Sequence, residues 1–213
     1  MKIAIFQFSL FGINTYLVYD DKSKECVAID PGMWRKEEEK AIIDFIEKNS
    51  LKLTHVINTH LHLDHAAGNN FLKLKYDVPI LAHKGDESLG KLLQEQARMF
   101  GLNIKFEGTV VTQYIKEGDS IKIGNESLKV IEVPGHSKGS IALYDEKDNF
   151  VIVGDALFEG SIGRTDLPGG NGTELIMSIK EKLLTLPDDT TVYAGHGNPT
   201  TIGQEKKNNP FLR

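Results

Sequence analysis

The sequence predicts an α+β protein in which two β-sheets pack face to face and helices cover their outer faces. Three observations lead there. Compact apolar runs of strand length outnumber helical patterns, the helical patterns are interleaved with the strands, and clusters of Gly, Pro, Asn and Asp separate the elements. No composition shift, linker or short-period repeat divides the chain, so residues 1–213 are read as a single domain, long enough to bury a sizeable core.

The elements follow in order. Strands are expected at 2–8, 15–20 and 26–29, the last closed by the turn formers Asp30-Pro31-Gly32. Residues 36–48 set Ile42, Phe45 and Ile46 against Lys36, Glu38, Glu39 and Lys48, the one-sided pattern of an amphipathic helix. A strand at 53–58 runs directly into Thr59-His60. Helices are expected at 66–75 and 84–98 around a short strand at 79–82. From 110 the texture turns to strands, at 110–115, 120–123, 127–132, 140–144 and 150–153. A helix at 173–185 and a strand at 190–194 complete the series.

Composition narrows the function. A formal net charge of −5, with scattered lysines, offers no basic stripe for a phosphate backbone, so nucleic acid is excluded as a partner. No apolar run reaches the roughly 18 residues of a membrane span. The N-terminal stretch carries Gln7 and Asn14 and lacks a small-residue cleavage site, so it reads as strand and not as an export signal. Cys26 is the one cysteine, which rules out an internal disulfide and suits a reducing cytoplasm. The expected partner is a small-molecule substrate. Nothing in the sequence sets the oligomeric state.

The chemistry begins at Thr59-His60-Leu61-His62-Leu63-Asp64-His65. In a helix His60 and His62 would point about 200° apart, whereas in extended chain residues i and i+2 face the same way and can share one ion. Asp64 and His65 fall where the loop becomes a helix and project differently, toward a second ion. Imidazole and carboxylate are donors that zinc, iron and manganese accept. Three further donors, His136, Asp155 and His196, each follow a predicted strand, and each is preceded by glycine, which lets backbone approach a crowded centre. One edge of the fold is expected to collect all seven.

Other residues weigh less. His55 and His83 lack such company and read as partly buried, hydrogen-bonded histidines. Cys26, in Cys26-Val27-Ala28-Ile29, reads as a small core hydrophobe. Asp30 is either a turn former or a group behind the site that fixes a ligand. In the glycine-rich stretch Gly160 to Gly172, Arg164 is the candidate for gripping a substrate carboxylate.

The order Thr59-His60-x-His62-x-Asp64-His65, Pro134-Gly135-His136, Gly154-Asp155, Gly195-His196 resembles the metallo-β-lactamase superfamily over essentially the whole chain. Within it, Gly163-Arg164-Thr165-Asp166-Leu167 and the closing Asn209-Pro210-Phe211-Leu212 look like the short glyoxalase II-like hydrolases, with persulfide dioxygenases as near relatives. The resemblance implies a four-layer αβ/βα sandwich with metals at one edge of the sheets. It implies two divalent ions, zinc first and iron or manganese as alternatives: one on His60, His62 and His136, the other on Asp64, His65 and His196, with Asp155 bridging. Asp64 and Asp155 would be the catalytic carboxylates around a metal-bridging hydroxide that cleaves a thioester of the hydroxyacylglutathione type. Two other readings stand beside it, a mononuclear iron persulfide dioxygenase and a metal-binding module without turnover. A periplasmic β-lactamase and a nuclease are disfavoured, by the absence of an export signal and by the acidic balance.

Overall fold

The computed structural model describes residues 1–8 and 11–213. Its first sheet has the order β1 (Lys2–Phe8), β2 (Ile13–Tyr19), β3 (Glu25–Ile29), β4 (Lys52–Ile57), β5 (Ile80–Ala82), β6 (Gln113–Tyr114). β1, β2 and β3 pair antiparallel, and β3 to β6 run parallel. The parallel pairs need crossovers, supplied by α1 (Lys36–Lys48) and by the short helices α2 (Leu63–Ala66) and α3 (Asn69–Tyr76).

The second sheet begins with β7 (Ser120–Ile123), β8 (Glu126–Glu132), β9 (Ile141–Asp145) and β10 (Phe150–Gly154), an antiparallel meander. β13 (Thr191–Ala194) then lies parallel to β10, and β14 (Thr200–Thr201) closes that edge, giving six strands in the order β14-β13-β10-β9-β8-β7. The small hairpin of β11 (Leu157–Phe158) and β12 (Ser161–Ile162) stands apart. α4 (Glu87–Lys91) and α5 (Leu93–Met99) lie in the connection from β5 to β6, where Leu93 and Ala97 pack on Leu61, Leu63 and Ala66, while α6 (Gly172–Ser178) and α7 (Ile202–Asn208) belong to the second half.

Three apolar layers hold the sandwich. Val27, Ile29 and Ile57 of the first sheet meet Ile121, Val130, Leu143 and Ile152 of the second in the central layer. The outer face of the first sheet packs Cys26, Ala28 and Val56 against Ile42, Ile46 and Leu72 of its helices. The outer face of the second packs Val151, Val153 and Val192 against Leu175, Ile179, Leu183 and Ile202. This is the expected four-layer arrangement, helix, sheet, sheet, helix. It explains why β3, β9 and β10 read as continuous apolar runs: both faces of each are covered.

Several elements depart from expectation. The single helix expected at 84–98 is a 3₁₀ turn at Lys84–Asp86 followed by α4 and α5, broken where Leu92 takes φ −103°, ψ 26°. The helix expected at 66–75 is divided into α2 and α3 at Ala67-Gly68, where Gly68 packs too tightly on Met33 and the Pro31 carbonyl for any side chain. Of the strand expected at 110–115 only Gln113–Tyr114 pairs, since β6 is fixed by its partner β5 and not by its own pattern. The helix expected at 173–185 loosens after Ser178 into a π turn, Ile179–Leu183. β11, β12, β14 and α7, too short or too polar for a periodic signal, were not anticipated.

Cys26 lies fully buried in β3, and burial pushes its thiol up to about 12. The thiolate is the reactive form, so at pH 8 almost none is present. The folded protein is expected to leave a disulfide-exchange reagent unreacted over minutes, and the urea-unfolded protein to release one equivalent at once. Rapid reaction in the folded state would contradict this packing.

Candidate metal centre

β4, β8, β10 and β13 all end at the same edge of the sandwich, and every expected donor comes from the loop that follows one of them or, for Asp64 and His65, from α2 directly after that loop. His60, His62, Asp64 and His65 follow β4, His136 follows β8, Asp155 follows β10 and His196 follows β13. The two sheets are tied together there. The Asn14 amide of β2 donates to the carbonyl of Gly195 (2.7 Å) and its side chain to those of Ala194 (3.1 Å) and Gly197 (2.9 Å), while the Tyr16 hydroxyl also donates to Ala194 (2.5 Å). On the other side Ile141 of β9 donates to the Thr59 carbonyl (2.9 Å).

Two glycines make the approach possible. A Cβ on Gly195 would strike the Asp155 carboxylate and come within 2.6 Å of His65, and Gly154, at φ +53°, abuts the Thr59 side chain. The glycine before each of these donors is therefore a requirement of space.

Within the centre the donor atoms converge in two groups. Nδ1 of His62 lies 2.9 Å from Nε2 of His136, which lies 3.2 Å from Nε2 of His60. In the second group Nε2 of His196 lies 3.2 Å and Nε2 of His65 3.9 Å from an Asp64 oxygen. Asp155 stands between, with Oδ1 3.3 Å from His65 and Oδ2 3.6 Å from His196 and 3.8 Å from His136. All seven expected residues are thus brought together, in the groups His60, His62, His136 and Asp64, His65, His196, with His60, His65 and Asp155 linking them.

Polar groups behind the rings fix which nitrogen faces inward. His65 Nδ1 is 3.0 Å from Asp30, His136 Nδ1 is 2.7 Å from the Arg164 carbonyl, and His196 Nδ1 is 3.0 Å from the Phe11 carbonyl. Each outer N–H donates, which turns the inner nitrogen of the ring toward the position a cation would take. Asp30 is fully buried at φ 50° and also accepts from the Thr59 amide (2.7 Å) and hydroxyl (2.6 Å). It is both things the sequence offered, a left-handed turn residue and the anchor of a ligand loop.

Electrostatics separates the two groups. Burial, then the charges of His65, His136 and His62, holds His60 well below the usual imidazole value, and burial with His136 and His65 lowers His62 to about 4. Burial works against protonation of His65 as well, but Asp155, Asp64 and Asp30 outweigh it and raise His65 well above its usual value. His196 is raised in the same way, burial being outweighed by its hydrogen bond to Asp64. Burial alone would raise Asp64 and Asp155. The neighbouring histidines, His65 foremost, lower both.

Arg164 lies in the cleft wall by its backbone, while its guanidinium makes a two-pronged pair with Asp166 (2.7 Å for each bond) at the exposed surface. His55 rests half-buried against Thr54 (3.0 Å) and His83 caps its own turn at Gly85 (3.1 Å), both outside the centre. Asp86 was not anticipated, since it fell inside an expected helix. It is fully buried, accepts from the Leu61 amide (3.1 Å), the Ser137 hydroxyl (2.7 Å) and the Gly139 amide (2.7 Å), and so clamps the His60–His62 loop to the loop of His136. No local sequence signal marks it, because its partners are 25 to 53 residues away.

The buried polar atoms test whether the site suits a cation. His65 Nε2 and Asp155 Oδ1 are sealed from solvent and face the middle of the cluster, 3.3 Å from each other, with no well-formed hydrogen bond to any group. Leaving such atoms unsatisfied costs about 1–3 kcal/mol each. A cation liganded by both removes that cost, and the donor set is the one divalent transition metals prefer. The residues fit a metal.

The profile of the metallo-β-lactamase superfamily matches residues 9–196. The chain belongs to that superfamily. Its sequence is 39% identical over 213 residues to hydroxyacylglutathione hydrolase GloC of Haemophilus influenzae, covering all of this chain and 98% of that one. Among solved structures, the BLEG-1 B3 metallo-β-lactamase superposes with TM-score 0.89 at 34% identity over 99% of both chains. TTHA1623 in a di-iron-bound form superposes with TM-score 0.87 at 34% identity over 98% of this chain and 100% of that one.

Asp86 supports the ligand loops without touching a donor atom. Asp86→Asn turns one acceptor oxygen into a donor facing the Leu61 amide. It is expected to cost about 1–3 kcal/mol in urea unfolding and to weaken zinc binding about 10- to 100-fold in a competition titration with a chromophoric chelator. Unchanged affinity and stability would show that the clamp does not set the loops.

Proposed function

We propose that this protein is a binuclear metal-dependent hydrolase that cleaves a thioester of the hydroxyacylglutathione type. The observation that carries the reading is the convergence of seven donors into two groups with Asp155 facing both. The likeness to GloC along the full length supports the substrate class. Zinc is the first candidate, with iron and manganese accepting the same donors, and TTHA1623 is described with two irons.

His60, His62 and His136 would hold one cation and Asp64, His65 and His196 the other, with an Asp155 oxygen available to each. When bound, the metal pair lowers the pKa of a water toward neutrality and stabilises negative charge on the substrate carbonyl. The chain supplies the rest. Asp64, facing the cleft beside His65 and His196, accepts a hydrogen bond from the attacking water and orients it. The water releases a proton to solvent as its oxygen bonds to the acyl carbon, the C–S bond breaks, the sulfur leaves as thiolate, and the acid formed gives its own proton to solvent and departs as carboxylate. Because a thiolate is stable near neutral pH, no residue is needed to protonate it in the step that breaks the bond. The lone cysteine is buried away from the centre and takes no part.

Elemental analysis joined to a hydrolysis panel tests the reading. Two metal ions per chain and turnover of S-lactoylglutathione, lost on chelation and restored by zinc, are expected. Asp155→Ala is expected to lower both metal content and activity, the latter by more than about 100-fold, and His55→Ala to leave both within about twofold. One iron per chain with oxygen uptake on glutathione persulfide would replace the hydrolase by a dioxygenase. Preferential turnover of a β-lactam would align the chain with BLEG-1 instead. Metal without turnover of any ester, thioester or lactam would leave a binding module.

A further inference from the structure

A second hollow opens beside the metal cleft. It measures about 110 Å³ and is walled by Leu89, Leu92, Met99, Phe100, Leu167 and Pro168. His62, Phe100 and Leu167 line both spaces, so the hollow adjoins the metal cleft across these three side chains. Its rim is formed by large apolar side chains that face solvent: Leu92 is 47% exposed, Met99 67% and Phe100 44%. Single exposed apolar residues are ordinary, but a contiguous apolar wall leading into a polar metal cleft is the usual form of a small-molecule subsite.

Charge points the same way. Apart from histidines, the side chains around the two spaces include one cation, Arg164, and its guanidinium is held by Asp166 through both prongs. Glu95 stands at the hollow and repels a second carboxylate. An anionic group placed there would lose its water against apolar side chains, with the neighbouring cation Lys138 set in a separate hollow beyond Leu89, Leu92 and Pro168. An aliphatic or aromatic group loses nothing by entering. The volume is of the order of the ~150 Å³ cavity that takes a benzene ring, and the open rim leaves room for a ring edge.

We propose that this hollow receives the acyl side of the substrate, so that the preferred thioester carries an aryl or branched-alkyl 2-hydroxyacyl group and not the small lactoyl group. This rests on the thioesterase reading above. The charged peptide of a glutathione leaving group has no place among these leucines and lies on the solvent side of the cleft. Phe100, Leu92 and Leu167 would then set specificity by contact with the acyl substituent, next to the carbonyl that the donors of the cleft activate.

The molecule contains its own reporter. Trp34 is the one tryptophan, and Phe11 bridges it to the hollow, with ring centroids 5.7 Å from Trp34 and 5.5 Å from Phe100. Occupation of the hollow is expected to change Trp34 emission.

The metal-loaded protein is titrated with benzene, which is neutral and has no donor for a metal, and kcat/KM is measured for S-(2-hydroxy-2-phenylacetyl)glutathione and S-lactoylglutathione. A saturable change in Trp34 emission is expected, with a ratio of kcat/KM of at least about 10 in favour of the phenyl substrate, carried mainly by KM. Leu92→Asn keeps the branched outline of the side chain while making its tip polar and smaller, and Asn is a favoured residue at the helix-start position that Leu92 occupies before α5. It is expected to abolish the emission change and bring the ratio close to one. Leu74→Asn, at an 81% exposed site on α3, is expected to alter neither. An enzyme that hydrolyses both thioesters with a ratio of one or less overturns the proposal, as does an emission change that is absent or survives Leu92→Asn. If no thioester is turned over, the hydrolase reading fails, and the benzene titration alone decides whether the hollow is an apolar subsite.

Discussion

Asp30 sits without exposed surface behind the first ligand loop, and its two oxygens serve the Thr59 amide, the Thr59 hydroxyl and the ring of His65. A buried carboxylate is costly unless its lone pairs are used, and here they are used on the groups whose position matters most. The backbone accepts a left-handed residue to put the carboxylate there. Asp86 repeats the solution on the other side, where one buried carboxylate binds the first ligand loop to the loop of His136. Between these two clamps the donors have little freedom, and positional accuracy of this kind is what a metal centre requires.

The same constraint accounts for the order of the chain. A ligand on a loop is only as fixed as the strand that leads into it, and β4, β10 and β13 are interior strands with their neighbours on both sides. The strands supply rigidity through burial of Val, Ile and Ala on two faces; the first polar side chain after β10 and after β13 is a donor, and after β4 the buried Asn58 and Thr59 lead straight into His60. Fold and site are therefore one pattern read twice, apolar up to the edge and ligating beyond it.

That pattern is why so much of the molecule was legible in sequence. The seven donors declared themselves by spacing and by the glycines before them, and the long strands by their uninterrupted apolar runs. What stayed hidden depends on contacts distant in the chain. β6, β11, β12 and β14 are two residues each, too short to show a period, and exist because a partner strand lies alongside. The break at Leu92 has no proline or glycine to announce it. Asp86 looked like one polar residue on a helix because its partners come from Leu61, Ser137 and Gly139. Arg164 was expected to grip a substrate carboxylate, whereas its carbonyl faces the centre through His136 and its guanidinium is taken by Asp166, a pairing that residue type alone does not show.

The seam at Asn14 and Tyr16 carries a consequence for how the molecule comes apart. Four of the donors precede residue 66 and three follow residue 135, so the centre is assembled from two halves of the chain that meet through the central apolar layer, this line of bonds, the Ile141–Thr59 bond and the Asp86 clamp. A cation gripped from both sides acts as a cross-brace. Any excursion that slides one sheet over the other must first release it, so occupancy of the centre raises the energy of that excursion by mass action. Metal supply would then govern how long the folded chain survives proteases in its surroundings, quite apart from whether a substrate is present.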